Sequence, residues 1–120
     1  MPQDYNSRKS ISQQFPYIRP DDQSNVKTVV DMLMKVGLQV QLAGSALERA
    51  DYNDIDLGAW NRKRGDARPL VGPLLEQLGV TSSEKIIIPA TYVHGWFRFE
   101  YQGTRFDLVC ASHKYYLGYL

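Results

Sequence analysis

The chain has 120 residues, 43% of them hydrophobic, and a formal net charge of +1. That length holds one domain with one core, and the charge is too small to indicate nucleic acid or a membrane surface as a partner. No apolar run is long enough to span a bilayer, and Met1 to Arg19 lacks the apolar stretch of a secretory signal. A single cysteine, Cys110, excludes an internal disulfide and fits a reducing compartment such as the cytoplasm. It ends an apolar strand pattern and reads as a small buried hydrophobe.

Residues 1–20 are polar, proline-containing and without a clear period. They read as a flexible arm, with Phe15, Tyr17 and Ile18 as its possible docking points. The domain is then 21–120. Asp21, Asp22 and Ser24 are N-cap candidates for a first helix. Val26, Val29, Val30, Leu33 and Val36 follow at helical spacing, and Gly37 stops the helix. Leu38-Gln39-Val40-Gln41-Leu42 alternates as a half-buried strand does. Gly44 ends it. Ala46 to Ala50 can form a short helix, and Asp51-Tyr52-Asn53 a turn.

Asp54 to Trp60 reads as the next strand. Arg62-Lys63-Arg64 follows in a basic loop, and a solvated surface is its plainest role. A second amphipathic helix opens at Pro69 or, because an interior proline disrupts a helix, at Pro73; Gly79 closes it. Ile86-Ile87-Ile88 is a short apolar run. Trp96 to Tyr101 alternates, Gln102-Gly103 makes a tight turn, and Thr104 to Cys110 returns as a hairpin strand. The tail, Ala111 to Leu120, carries three tyrosines and no clear pattern. This order predicts an α/β (α+β) domain: a mixed sheet with helices on one face.

Three aspartates carry the chemistry. Alternation puts Asp54 and Asp56 on one face of a strand, about 7 Å apart, with Ile55 and Leu57 pointing into the core. Like charges so close raise at least one pKa unless a cation intervenes, and hard carboxylate oxygens select Mg²⁺ or Mn²⁺. In Arg105-Phe106-Asp107-Leu108-Val109 the same alternation turns Asp107 away from the core. If the hairpin strand lies beside the Asp54/Asp56 strand, the three carboxylates converge. Gly44-Ser45 then offers a bare backbone, a hydroxyl and a helix start to phosphate.

Each aspartate also has a structural role open to it. Asp54 could cap its turn, Asp56 could pair with Arg62 or Arg105, and Asp107 could form a cross-strand ion pair with Arg98. Ser45 could be an N-cap alone. His94 and His113 are far apart and lack zinc-like partners. Trp60, Trp96, Phe97 and Phe99 read as core or a dimer patch, although one aromatic could stack on a base.

At Leu42-Ala43-Gly44-Ser45, then Asn53-Asp54-Ile55-Asp56-Leu57, the chain resembles the minimal nucleotidyltransferases of the DNA polymerase β-like superfamily. Their pattern is an apolar strand, Gly-Ser, about ten residues, then Asp-apolar-Asp-apolar, with a third carboxylate on a later strand, here Asp107. The resemblance covers roughly residues 25 to 110. It implies Mg²⁺-dependent transfer of a nucleoside monophosphate from a nucleoside triphosphate to a hydroxyl acceptor, with release of pyrophosphate. It further implies that Asp54 and Asp56 hold metal, that Gly44 and Ser45 bind the β- and γ-phosphates, and that Asp107 helps bind metal and deprotonates the acceptor. Relatives often carry an arginine in the short helix, for which Arg49 is the candidate. Many also have a C-terminal helical domain, so a helical partner protein or a second copy is expected to complete the site. The alternatives are a non-catalytic nucleotide- or partner-binding module of the same fold, and an assembly protein whose aspartates only solvate a sheet face.

Overall fold

A computed structural model describes residues 2–61, 63, 67–80, 84–86 and 93–111. The elements are β1 (Gln3–Asp4), α1 (Ile11–Gln14), α2 (Pro20–Lys35), β2 (Leu38–Ala43), a 3₁₀ turn (Ser45–Leu47), β3 (Ile55–Asn61), α3 (Arg68–Leu78), β4 (Glu84–Ile86), β5 (Val93–Tyr101) and β6 (Thr104–Ala111). The sheet order is β1-β2-β3-β6-β5-β4. Every neighbouring pair is antiparallel except β3 and β6, which run parallel, so the sheet is mixed and the class is α+β.

Strict alternation gives the sheet two unlike faces. Leu38, Val40 and Leu42 on β2, Ile55 and Leu57 on β3, Phe106 and Leu108 on β6, and Phe97 and Phe99 on β5 are buried in one cluster. Val26, Val29, Val30 and Leu33 of α2, with Val71, Leu74 and Leu75 of α3, complete it, so the helices cover that face. The rings of Phe99 and Phe106 stack at 5.2 Å. Cys110 is buried within this core. No helix among the described residues is long and apolar enough to cross a membrane.

The hairpin forms as its sequence dictates. Gln102 (φ 48°) and Gly103 (φ 89°) both take the left-handed conformation of a two-residue turn, which pairs Tyr101 with Thr104 and fixes the register beyond. Gly79 caps α3 in the left-handed conformation, as expected. Pro73 lies inside α3, which begins at Arg68 with Pro69 in its first turn. Pro73 is exposed, so its ring disturbs no core packing, while its missing N–H leaves one helical bond unmade.

Four expectations are corrected. The segment 1–20 is not a loose arm. β1 adds to the sheet edge beside β2, Tyr5 N–H donates to Val40 O at 3.0 Å, and Phe15 and Ile18 are only 1% and 2% exposed. Buried Gln14 is satisfied by Asn6 N, Asn6 O and Lys9 O, and Ser10 and Gln13 form a capping box. Phe15 and Ile18 are the docking points the sequence left open, whereas Tyr17 stays 46% exposed. The first helix starts one turn early: Arg19 occupies the N-cap and Pro20 the first helical position, leaving Asp21 and Asp22 inside the first turn. The helix expected at Ala46 to Ala50 is a three-residue 3₁₀ turn from Ser45 to Leu47. Asp54 precedes β3 instead of opening it. Ile87, Ile88 and the tail 112–120, with His113, lie outside the described residues.

Candidate functional site

The parallel pairing of β3 with β6 makes the site. Asp56 and Asp107 are direct Cα partners, Ala43 is the partner of Asp56 on β2, and Arg98 is the partner of Asp107 on β5. One row across the face opposite α2 and α3 therefore reads Ala43, Asp56, Asp107, Arg98, with neighbouring strands about 4.8 Å apart. Asp54, in the approach to β3, is close enough for its charge to act on both other aspartates.

The electrostatics differ along that row. Burial, followed by the charges of Asp107 and Asp54, pushes the Asp56 carboxyl up to about 6 from an ordinary 3.8; Arg98 only partly opposes this. Asp56 accepts no hydrogen bond among the described residues. Burial also raises Asp107, with Arg98 pulling in the opposite direction. Arg98 Nε lies 3.0 Å from Asp107 Oδ1, which is the cross-strand ion pair open to Asp107 from the sequence. The Arg98 guanidinium also sits over the Trp96 ring, 5.2 Å from its centroid. Trp96 Nε1 is near enough to Asp107 to favour its charged form, yet closes no hydrogen bond of ordinary geometry.

Gly44 has a steric reason. Its φ is +73°, and a Cβ there would overlap Asp56 Oδ2. The bare backbone at this strand end thus admits the carboxylate itself. Ser45 follows, partly exposed, at the start of the 3₁₀ turn. That turn is too short to supply the dipole of a full helix. Arg49 is not brought to the site: it is exposed, pairs with Asp51 at 3.4 Å, and does not line the concavity at Gly44 and Asp56.

A polar bracket fixes one end of the site. Buried Asp22, in the first turn of α2, accepts from Tyr52 Oη, from Thr104 Oγ1 at 2.6 Å and from Arg19 Nε at 3.4 Å. Asn25 Nδ2 donates to Thr104 Oγ1 at 2.8 Å and to Gln102 O at 3.2 Å. Tyr52 is two residues before Asp54 and Thr104 is three before Asp107, so the helix ties both approaches together. The sequence offered Asp22 only as a cap, because nothing local announces partners thirty and eighty-two residues away.

Two concavities meet at Asp107. One, of ≈ 270 Å³, lies over β2, β3, β6 and β5 and reaches Gly44 and Asp56. The other, of ≈ 490 Å³, is lined by Asp54, Arg98, Glu100, Arg105 and Asp107 among others. Arg98 and Arg105 are thus placed to meet an anion beside the carboxylates. Among the described residues no group of three or more His, Cys, Asp or Glu side chains stands ready to hold a metal ion, so the expected three-carboxylate set is gathered on one face without being closed. The ion pair with Arg98 is the physical reason at Asp107. No protein-family model matches the chain, and no curated protein matches it either.

Proposed function

We propose that this chain is a Mg²⁺-dependent nucleotidyltransferase that moves a nucleoside monophosphate from a nucleoside triphosphate to a hydroxyl acceptor, releasing pyrophosphate. One observation carries the reading: among the described residues, Asp56 is held without a hydrogen bond directly beside Asp107, within the field of Asp54, on the sheet face opposite α2 and α3. A surface that needed only polarity gains nothing from that repulsion, whereas a cationic ligand removes it. The donor chemistry fits Mg²⁺ or Mn²⁺, because every group is a hard carboxylate oxygen. Asp54 and Asp56 would hold the ion, with Asp107 as a third donor once Arg98 turns to another anion. When bound, such an ion neutralises phosphate charge and eases ionisation of the acceptor.

The chain's own groups supply the rest. Gly44 presents bare backbone and Ser45 a hydroxyl to phosphate oxygens. Arg98 and Arg105 add positive charge where the polyphosphate charge grows. Asp107, its proton affinity raised by burial, takes the proton of the acceptor hydroxyl. The acceptor oxygen bonds to the α-phosphorus as the bond from that phosphorus to the bridging oxygen breaks, and pyrophosphate leaves with the electron pair. A helical partner protein or a second copy completes the acceptor side, and the cytoplasm is the setting.

The ion pair between Arg98 and Asp107 favours a second reading, a nucleotide- or partner-binding module that performs no transfer. Calorimetric titration with ATP, GTP, CTP and UTP, with and without Mg²⁺, addresses both. Mg²⁺-dependent binding lost in Asp54→Asn is expected under either reading, and pyrophosphate release only under the first. Binding that ignores Mg²⁺ and Asp54 removes both.

A further inference from the structure

Two residues along each strand from the charged row runs a second row on the same face. Gln41 pairs with Gly58, Gly58 with Val109, and Val109 with Trp96. Its character is different. Gly58 has no side chain and Val109 a short one, so the middle of the row is low, while Gln41 and Trp96 stand at its two ends. The result is the ≈ 270 Å³ concavity, whose fourth wall is Asp56 and Asp107.

Two polar groups in this basin close no hydrogen bond among the described residues. Gln41 is 3% exposed, lines the concavity, and its amide makes no hydrogen bond among the described residues. Trp96 Nε1 is buried and, although near Asp107, closes no hydrogen bond of ordinary geometry. Leaving the Trp96 N–H dry costs about 1–3 kcal/mol, while the Gln41 amide opens onto the concavity with no protein partner among the described residues. A sheet that only needed packing would carry leucine or phenylalanine there. Apolar walls with a few convergent, unsatisfied polar groups are the composition of a small-molecule site. The groups themselves define the ligand. A primary amide offers one acceptor and two donors in a plane, and an indole offers one donor. Both suit the edge of a flat heterocycle bearing a carbonyl or ring nitrogen.

We infer that the row Gln41–Gly58–Val109–Trp96 is a subsite for a nucleobase, with Gln41 and Trp96 reading its hydrogen-bonding edge. The inference rests on the nucleotidyltransferase reading for its choice among flat heterocycles, and it adds the residues that set base preference. The base lies over Gly58 and Val109, and the adjoining charged row takes the phosphates.

The test separates base from phosphate. Adenosine, guanosine, cytidine and uridine, without Mg²⁺, are titrated by calorimetry and by quenching of tryptophan fluorescence. Inorganic triphosphate with Mg²⁺ is titrated separately. At least one nucleoside should bind about tenfold more tightly than the weakest, and Gln41→Leu should reduce that ratio to about twofold while triphosphate affinity holds, as expected for one lost hydrogen bond. Trp96→Phe should remove most of the quenching and weaken the preferred nucleoside several-fold. Gln41→Glu keeps the size, replaces donor with acceptor and should reorder the four; it serves if Gln41→Leu does not fold. Four nucleosides that fail to bind, or a ranking unchanged in all folded variants, overturn the inference. If triphosphate still binds with Mg²⁺ in that case, the nucleotidyltransferase reading survives alone. If nucleosides bind as described and triphosphate does not, the subsite stands and that reading falls.

Discussion

Asp22 and Asp56 are both withdrawn from water, and the fold treats them in opposite ways. Asp22 accepts from Tyr52, Thr104 and Arg19, and these bonds hold its carboxyl below the ordinary range although burial alone would raise it. Asp56 has like charges for neighbours and no donor among the described residues, and it is pushed up to about 6. Burial is common to both, so it cannot be the signal of function. The signal is whether the protein has supplied donors to a carboxylate that it has desolvated. One aspartate joins helix, loop and hairpin; under the proposed function the other takes its compensating charge from a bound cation.

The contrast is broken most severely by exchanging the consequences of the two sites. Asp56→Asn should lower pyrophosphate release by about 10³-fold or more, because several kcal/mol of charge stabilisation goes with the carboxylate, yet leave the protein folded. Asp22→Ala should do the reverse to stability, costing about 3 kcal/mol in urea denaturation, since Tyr52, Thr104 and Arg19 lose their common acceptor. An Asp22→Ala chain as stable as wild type would show that the bracket is ornament. Gly44→Ala comes next, at about 2 kcal/mol, from a left-handed backbone plus overlap with Asp56. The double variant Gly44→Ala/Asp56→Ala should recover the overlap portion and retain about 1 kcal/mol of backbone cost. A purely additive pair would deny the contact between the two positions.

The same contrast explains what the sequence could disclose. Alternation along each strand was sufficient to turn Asp56 and Asp107 away from Ile55, Leu57, Phe106 and Leu108. The Gln102-Gly103 turn set the hairpin register, so the pairing of Arg98 with Asp107 was legible by counting back from the turn. The adjacency of β3 and β6 was not, because parallel neighbours fifty residues apart leave no local trace. For that reason convergence of the aspartates depends on a pairing that the local sequence does not fix. Asp22 was hidden for the same cause, its partners being Tyr52 and Thr104. Phe15 and Ile18 were legible as docking points, but single anchors in a polar segment have no period, so the ordered packing of the whole segment was not. Gln41 looked like the polar half of an alternating strand, and only the neighbouring strands reveal that it is covered.

The smallest expected effect is in pH dependence, and there the two aspartates have opposite signs. Asp56 titrates near 6 in the folded chain and near 3.8 when unfolded. Between those values the folded state binds the additional proton, so stability falls as pH rises from about 4 to about 7. Solvent screening at this partly exposed side chain limits the loss to the order of 1 kcal/mol. Asp22 has its folded value depressed, so its contribution is complete above the ordinary carboxylate range and disappears only as pH falls below it. Denaturation midpoints measured from pH 3 to pH 8 should therefore show a shallow decline above about 4 and a separate loss at the acid end. Asp56→Asn should abolish the first and keep the second, and at pH 7.5 it should be slightly more stable than wild type. Added Mg²⁺ should raise the wild-type midpoint at that pH and leave Asp56→Asn where it was. If Asp56→Asn is instead the less stable protein at pH 7.5, its carboxylate contributes to the fold as that of Asp22 does, and the distinction between a satisfied and a waiting aspartate is lost.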